Sequence, residues 1–207
     1  HLSTRYSAPC CAPGGLADPC RSAVWEGIGV AKRLFWSREA ASRIATLADL
    51  AHPDLAHLHN IYHHLSPSIL KPLVERGIGI VMTIHDYKLL CPALRFYNNG
   101  VVCEKCRPLH YSSCISGRCV HGSRAASALC AAEMFFHDAT RAYTGRIDRF
   151  IAPSRFVASK LLERGLPREQ VTVIPNFVDP ERWKPGENAA GAGGYVLFSG
   201  SLSSEKG

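Results

Sequence analysis

The chain has 207 residues, of which 46% are hydrophobic, with 24 Lys or Arg against 17 Asp or Glu and a formal net charge of +7. That length fits one generous domain, or one domain and the start of another, and no apolar run approaches the roughly 18 residues of a membrane span. The positive balance suits anionic partners such as phosphates, an acidic membrane face or nucleic acid, and serves solubility equally well.

Residues 1–20 carry no sustained period and read as loop, Gly14-Gly15 included, since no strand precedes that pair. From Ser22 to Asp49 a helical pattern dominates, with Val24, Ile28, Ala31, Leu34 and Phe35 on one face, joined later by Ile44, Leu47 and Ala48. Lys32, Arg33, Arg38 and Arg43 decorate this region, as a solvated outer face or as a basic face for anionic lipid. His52-Pro53-Asp54 marks a turn, and Leu55 to His59 a short strand in which His57 reads as a core histidine. Ser66-Pro67 then opens a helix with Ile69, Leu70, Leu73 and Val74 on its inner face, closed by Gly77.

Ile78 to Thr83 is a β-branched apolar run of the kind buried in parallel sheets, and it breaks into His85-Asp86-Tyr87-Lys88. Ligands of open parallel sheets sit beyond the carboxyl ends of the strands, so polar tips there are candidates for chemistry. Strand, helix and strand at this spacing form a right-handed crossover, which brings His59-Asn60 and His85-Asp86 to one rim. A capping or packing role is the plainer alternative for His85.

Residues 91–122 read as a cysteine-rich insertion, and Ser123 to Ile147 as a long helix keeping Ala128, Leu129, Ala132, Phe135, Phe136, Ala139 and Tyr143 at helical spacing. Arg149 to Ser154 is a strand ending at the same rim. Ser154 caps a helix with Phe156, Val157, Leu161 and Leu162, which Gly165 stops, and Gln170 to Asn176 is a further strand. Residues 186–194 form a flexible linker, after which 195–207 begin a second α/β unit. The expected fold class is α/β, a Rossmann-like doubly wound parallel sheet over residues 1–185.

Nine cysteines are present: Cys10, Cys11, Cys20, Cys91, Cys103, Cys106, Cys114, Cys119 and Cys130. An odd count in a chain with parallel-sheet patterning points to thiols or a metal site rather than a secreted disulfide scaffold. Cys103-x-x-Cys106 with Cys114 and Cys119 resembles a tetrahedral thiolate site, with Cys91, His110 and His121 as rival ligands. Structural zinc, free thiols, disulfides and an iron–sulfur centre all stay open at this point. Zinc sites supply about 10–16 kcal/mol, ample to pin a loop of low intrinsic order.

Taken together, His57-Leu-His59-Asn60, Thr83-Ile-His85-Asp86-Tyr87, Ile151-Ala-Pro-Ser154 and Val173-Ile-Pro-Asn176-Phe-Val-Asp179 resemble the acceptor-side half of a family 4 glycosyltransferase. Gly200…Glu205-Lys206-Gly207 resembles the opening turn of that family's donor domain. The resemblance implies the two-domain GT-B fold and transfer of a sugar from a nucleotide-sugar donor, with retained anomeric configuration. It places His85 close to the donor sugar, with Asp86 orienting it or meeting the acceptor. His59, Asn60, Tyr87 and Ser154 fall on the acceptor side. Gly200, Ser201 and Lys206 fall on the donor side, where Lys206 would neutralise the diphosphate. Ser201 stands where the family usually carries arginine, and a serine cannot form a bidentate clamp. The family's paired glutamates and nucleoside pocket would lie after Gly207, and its first strand and Gly-rich loop before His1. A fragment inactive by itself is therefore expected.

The resemblance further implies a cytoplasmic enzyme, peripheral at an anionic inner membrane face if its acceptor is lipid-linked. No catalytic metal and no nucleic acid are expected. Two rival readings remain: a zinc-stabilised nucleic-acid-binding module, weakened by the lack of aromatic interleaving, and a non-catalytic sugar- or partner-binding relative.

Overall fold

The computed structural model describes residues 33–184. These contain six strands: β1 (Leu55–His59), β2 (Gly79–Thr83), β3 (Tyr97–Asn98), β4 (Val101–Val102), β5 (Arg149–Ala152) and β6 (Val171–Val173). The apolar runs pair as a four-stranded parallel sheet in the order β1-β2-β5-β6, and β3 and β4 form a separate antiparallel hairpin. This is the expected α/β, Rossmann-like arrangement. Ile80 and Met82 of β2 and Phe150 and Ala152 of β5 are fully buried, as befits the central strands of such a sheet. His59, Thr83, Ile151 and Thr172 stand in register across the four strands.

The helices are α1 (Arg38–Ala51), α2 (Tyr62–Leu65), α3 (Leu70–Val74), α4 (Ser112–Ser116), α5 (Arg124–Ala139) and α6 (Arg155–Glu163). α1 packs on α3, α3 on β2, α6 on β5 and β6, and α4 on α5. Ser154 caps α6 as anticipated, its hydroxyl accepting from the Val157 N–H at 3.2 Å. Gly77 and Gly165 close their helices at positive φ, 68° and 96°, where a Cβ would be strained.

Several sequence expectations give way to the packing. The helical run from Ser22 to Asp49 is interrupted at Trp36-Ser37, because Ser37 leaves helical geometry to cap α1, its hydroxyl accepting from the Ala40 N–H at 3.2 Å. Ser37 is further engaged by Ser66 and Ser68. Its N–H donates to Ser66 Oγ at 3.0 Å and its carbonyl accepts from Ser68 Oγ at 2.8 Å, all three residues being buried. This knot fixes the start of α1 against the 3-10 turn Pro67–Ile69, which precedes α3 where one continuous helix was expected. Ser66 itself sits at φ 56°, a strained value that these hydrogen bonds hold in place. Leu47 and Val74, expected on inner faces, are each 49% exposed. The expectations for residues 1–32 and 185–207 lie outside the described residues.

α5 departs most from its expected face. It ends at Ala139, and the residues that it buries are Ser127, Ala131, Glu133, Met134 and His137, while Phe135 and Phe136 are 50% and 37% exposed. A buried ion pair turns the helix that way. Lys88 Nζ donates to Glu133 Oε2 at 2.6 Å, with the two side chains 2% and 0% exposed. His137 lies one turn further on, its Nδ1 3.7 Å from Glu133 and its Nε2 donating to the Phe35 carbonyl at 3.0 Å. Burial holds the His137 imidazole below the ordinary histidine range, against the raising pull of the Phe35 carbonyl and of Glu133.

Glu133→Ala leaves the Lys88 ammonium buried without that carboxylate, so a loss of about 3–5 kcal/mol in unfolding free energy is expected from denaturant titration. Removing both charges together, as Lys88→Met with Glu133→Leu, should recover most of it. Equal losses in the single and double variants would refute the pairing.

Candidate active site at the carboxyl edge of the sheet

The parallel register of β1 and β2 sets one face of their carboxyl ends. His57 and His59 alternate onto the same side of β1, and Thr83 and His85 follow on β2. Side chains lean along the strand, so each β1 histidine meets the β2 residue two places beyond its paired partner. His57 Nε2 lies 2.8 Å from Thr83 Oγ1, and His59 Nδ1 lies 2.8 Å from His85 Nε2. The rings also contact one another: the centroids of His57 and His59 are 4.2 Å apart, and those of His59 and His85 5.1 Å apart at 27°. His57, His59 and His85 are all exposed. His57 is thus no core histidine. β1 is the edge of the described sheet, and its Leu55, His57 and His59 side is open. Partial burial, then the like charges of His57 and His85, hold His59 below the ordinary histidine range.

Beyond Thr83 the strand makes one more ladder bond, from the Ile84 N–H to the Ile151 carbonyl at 2.9 Å. His85 is the first residue past it and points out. The next three residues turn back. Asp86 is half-buried and accepts the Lys88 N–H at 2.8 Å, which makes it the cap of its own turn. Burial raises its carboxyl above the usual range, against the lowering pull of that N–H and of the Lys88 charge. Tyr87 stacks on Phe96 at 4.5 Å and meets Phe156 edge-on at 6.4 Å. Lys88 reaches the core.

Asn60 is exposed at φ 46°, directly after β1, and Ser154 directly precedes α6 at the same edge with its hydroxyl engaged as the cap. The register therefore gathers His59, Asn60, His85 and Ser154 at one rim. Gly200, Ser201 and Lys206 lie outside the described residues.

Five thiols from well-separated segments, those of Cys91, Cys103, Cys106, Cys114 and Cys119, line a cavity of about 20 Å³, room for roughly one water-sized body. None of these five is in a disulfide. Cys91 Sγ donates to the Arg95 carbonyl at 3.0 Å, and Cys114 Sγ approaches the Ser127 carbonyl at 3.9 Å. Among the described residues no three His, Cys, Asp or Glu side chains are grouped closely enough to hold an ion as they stand. Cys91 thus joins the four expected cysteines, whereas His110 and His121 do not line the cavity.

Sequence reading missed the ties that hold this segment down. Arg164 Nη2 donates to Asp138 Oδ2 at 2.8 Å, and the Tyr111 hydroxyl bonds to both groups. Lys160 Nζ donates to Glu104 Oε2 at 2.7 Å. The partners lie 26 to 56 residues apart, and no local pattern announces such pairs.

Burial, and then the neighbouring Cys91, Cys119 and Cys103, push the Cys106 thiol up to about 11. Thiolate is the reactive form. In reduced, metal-free protein, alkylation of Cys106 should therefore keep climbing to about pH 11, whereas an ordinary cysteine, half thiolate at about 8.5, levels off roughly one unit above that. Peptide mass spectrometry after timed iodoacetamide exposure reads this directly, and a plateau by pH ~9.5 would contradict the assigned environment.

No helix among the described residues is long and apolar enough to cross a membrane. No curated protein and no solved structure matches the chain. The model of Glycosyltransferase Family 4, however, matches residues 11–182, a span that takes in the whole sheet, the histidine rim and the thiol cluster. With most of its length matched, the chain belongs to Glycosyltransferase Family 4.

Proposed function

We propose that this chain forms the acceptor-side lobe of a retaining glycosyltransferase of the GT-B type, moving a sugar from a nucleotide-sugar donor to a sugar or lipid-linked acceptor. One observation supports it above the others: His85 stands exposed one residue past the last ladder bond of a central parallel strand, in a family 4 chain. That is where open parallel sheets bind ligands. His85 is the proposed catalytic group, hydrogen-bonding a donor-sugar hydroxyl and helping to organise the leaving diphosphate.

The remaining roles belong to the same proposal. Asp86 shapes the turn behind His85 through the Lys88 N–H, and Tyr87 forms the aromatic wall beside it. His59, Asn60 and Ser154 face the proposed acceptor side. Gly200, Ser201 and Lys206 are the proposed donor contacts, with Lys206 countering the diphosphate charge. A structural zinc ion is the proposed occupant of the thiol cavity, supported by the convergence of five sulfurs on one small space. Side-chain rotation would have to draw four of them inward. The net charge of +7 supports peripheral attachment to an anionic inner membrane face.

In the full-length enzyme, His85→Ala should lower turnover of its nucleotide-sugar donor by about 100- to 1,000-fold, measured by nucleotide release across a donor panel. Unchanged release would remove His85 from the chemistry, and no release by the wild type with any donor would favour a non-catalytic relative. For the cavity, metal analysis of protein purified under reducing conditions should find zinc near one ion per chain. Its absence, with all thiols free, would end the zinc proposal.

A further inference from the structure

We propose that His59 is a positioning residue: it accepts the Nε2–H of His85 at its own Nδ1 and so locks His85 into one tautomer, with Nδ1 left as the proton-free nitrogen. The assignment deepens the reading of His85 given above, and it moves His59 from contact with an acceptor to control of its neighbour.

Two ring nitrogens 2.8 Å apart leave room for a single proton between them. One ring must donate and the other accept, so the two tautomers are set together. The surroundings decide which way. His59 is the middle ring of three, with His57 at 4.2 Å on one side and His85 at 5.1 Å on the other. His57 is itself held by Thr83 Oγ1 at 2.8 Å. Any positive charge on His59 therefore lies beside two imidazoles, the titratable groups among the described residues whose charges act on it. His85 instead has the Asp86 carboxylate as its chain neighbour, and the two interact electrostatically. The positive end of the shared N–H is better placed on His85, beside that carboxylate and away from His57. His59 then accepts, and its ring is kept from turning away by the stack.

The consequence is chemical. A histidine free to exchange tautomers offers each nitrogen as base only part of the time. Locked by His59, His85 presents Nδ1 as a standing acceptor for a hydroxyl proton.

The test reads ring nitrogens, so it is independent of turnover. Long-range ¹H–¹⁵N correlation spectra of the uniformly labelled chain, in mildly alkaline buffer, should show His85 with Nε2 protonated and Nδ1 bare. In His59→Phe, which keeps a ring in the stack but has no acceptor, the two His85 nitrogens should move toward averaged shifts. In His59→Asn, whose side-chain oxygen stands where Nδ1 stood, the single tautomer should return. A His85 protonated at Nδ1 in the wild type would overturn the proposal with no variant needed. Identical His85 nitrogen shifts in the wild type and His59→Phe would overturn it as well. Failure here leaves the sugar-transfer reading untouched. An inactive enzyme with a locked tautomer would count against that reading alone.

Discussion

The Lys88–Glu133 ion pair is the constraint on which the shape of the rim depends. Two charges taken out of water gain little net stability from one another, but they penalise any arrangement that separates them. The pair therefore acts as a registration device. It joins the turn after β2 to the middle of α5, and it pulls the chain down three residues after His85. Asp86 tightens the same turn from within by holding the Lys88 N–H. With the segment drawn inward from both ends, by the Ile84 ladder bond before and by Lys88 after, the His85 side chain is the one left facing out.

Much of the scaffold was legible because its signals are local. Ser154 ahead of a helical stripe, Gly77 and Gly165 after one, and alternating or continuous apolar runs of four to six residues each carry their own physics. The four sheet strands and their shared carboxyl edge followed from those marks. α5 was misjudged because hydrophobicity was a poor guide to its orientation. Phe135 and Phe136 carry the apolar signal, yet the faces of Ser127, Glu133 and His137 go inward with Ala131 and Met134. A buried carboxylate is explained only by its cation, and Lys88 lies 45 residues earlier in the chain. Lys88 was likewise read as one of four polar tips at the rim, since nothing in His-Asp-Tyr-Lys tells which side chain turns back.

The histidine rim was half-visible in the same sense. His59 and His85 could be placed at one edge from strand spacing alone, but their direct contact depends on a register that sequence does not disclose. His57 was misassigned for a related reason. A residue in mid-strand is buried only when both faces are covered, and β1 is an edge of the described sheet, with its histidine side exposed. The thiol cluster shows the opposite balance. Spacing suggested four ligands, and folding brings a fifth sulfur, Cys91, to the same cavity without setting any three at ion-binding distance.

The moorings of the cysteine-rich segment have an evolutionary corollary. Tyr111 and Glu104 fasten its later part to Asp138, Arg164 and Lys160, which belong to α5 and to the end of α6, while Phe96, near its start, stacks on Tyr87 in the turn after β2. Growth, trimming or reshaping between Glu104 and Tyr111 would load the helical layer first, whereas change at Phe96 would reach the turn that carries His85. A lineage can thus retune the helix-moored part of the excursion more freely than the part stacked on Tyr87.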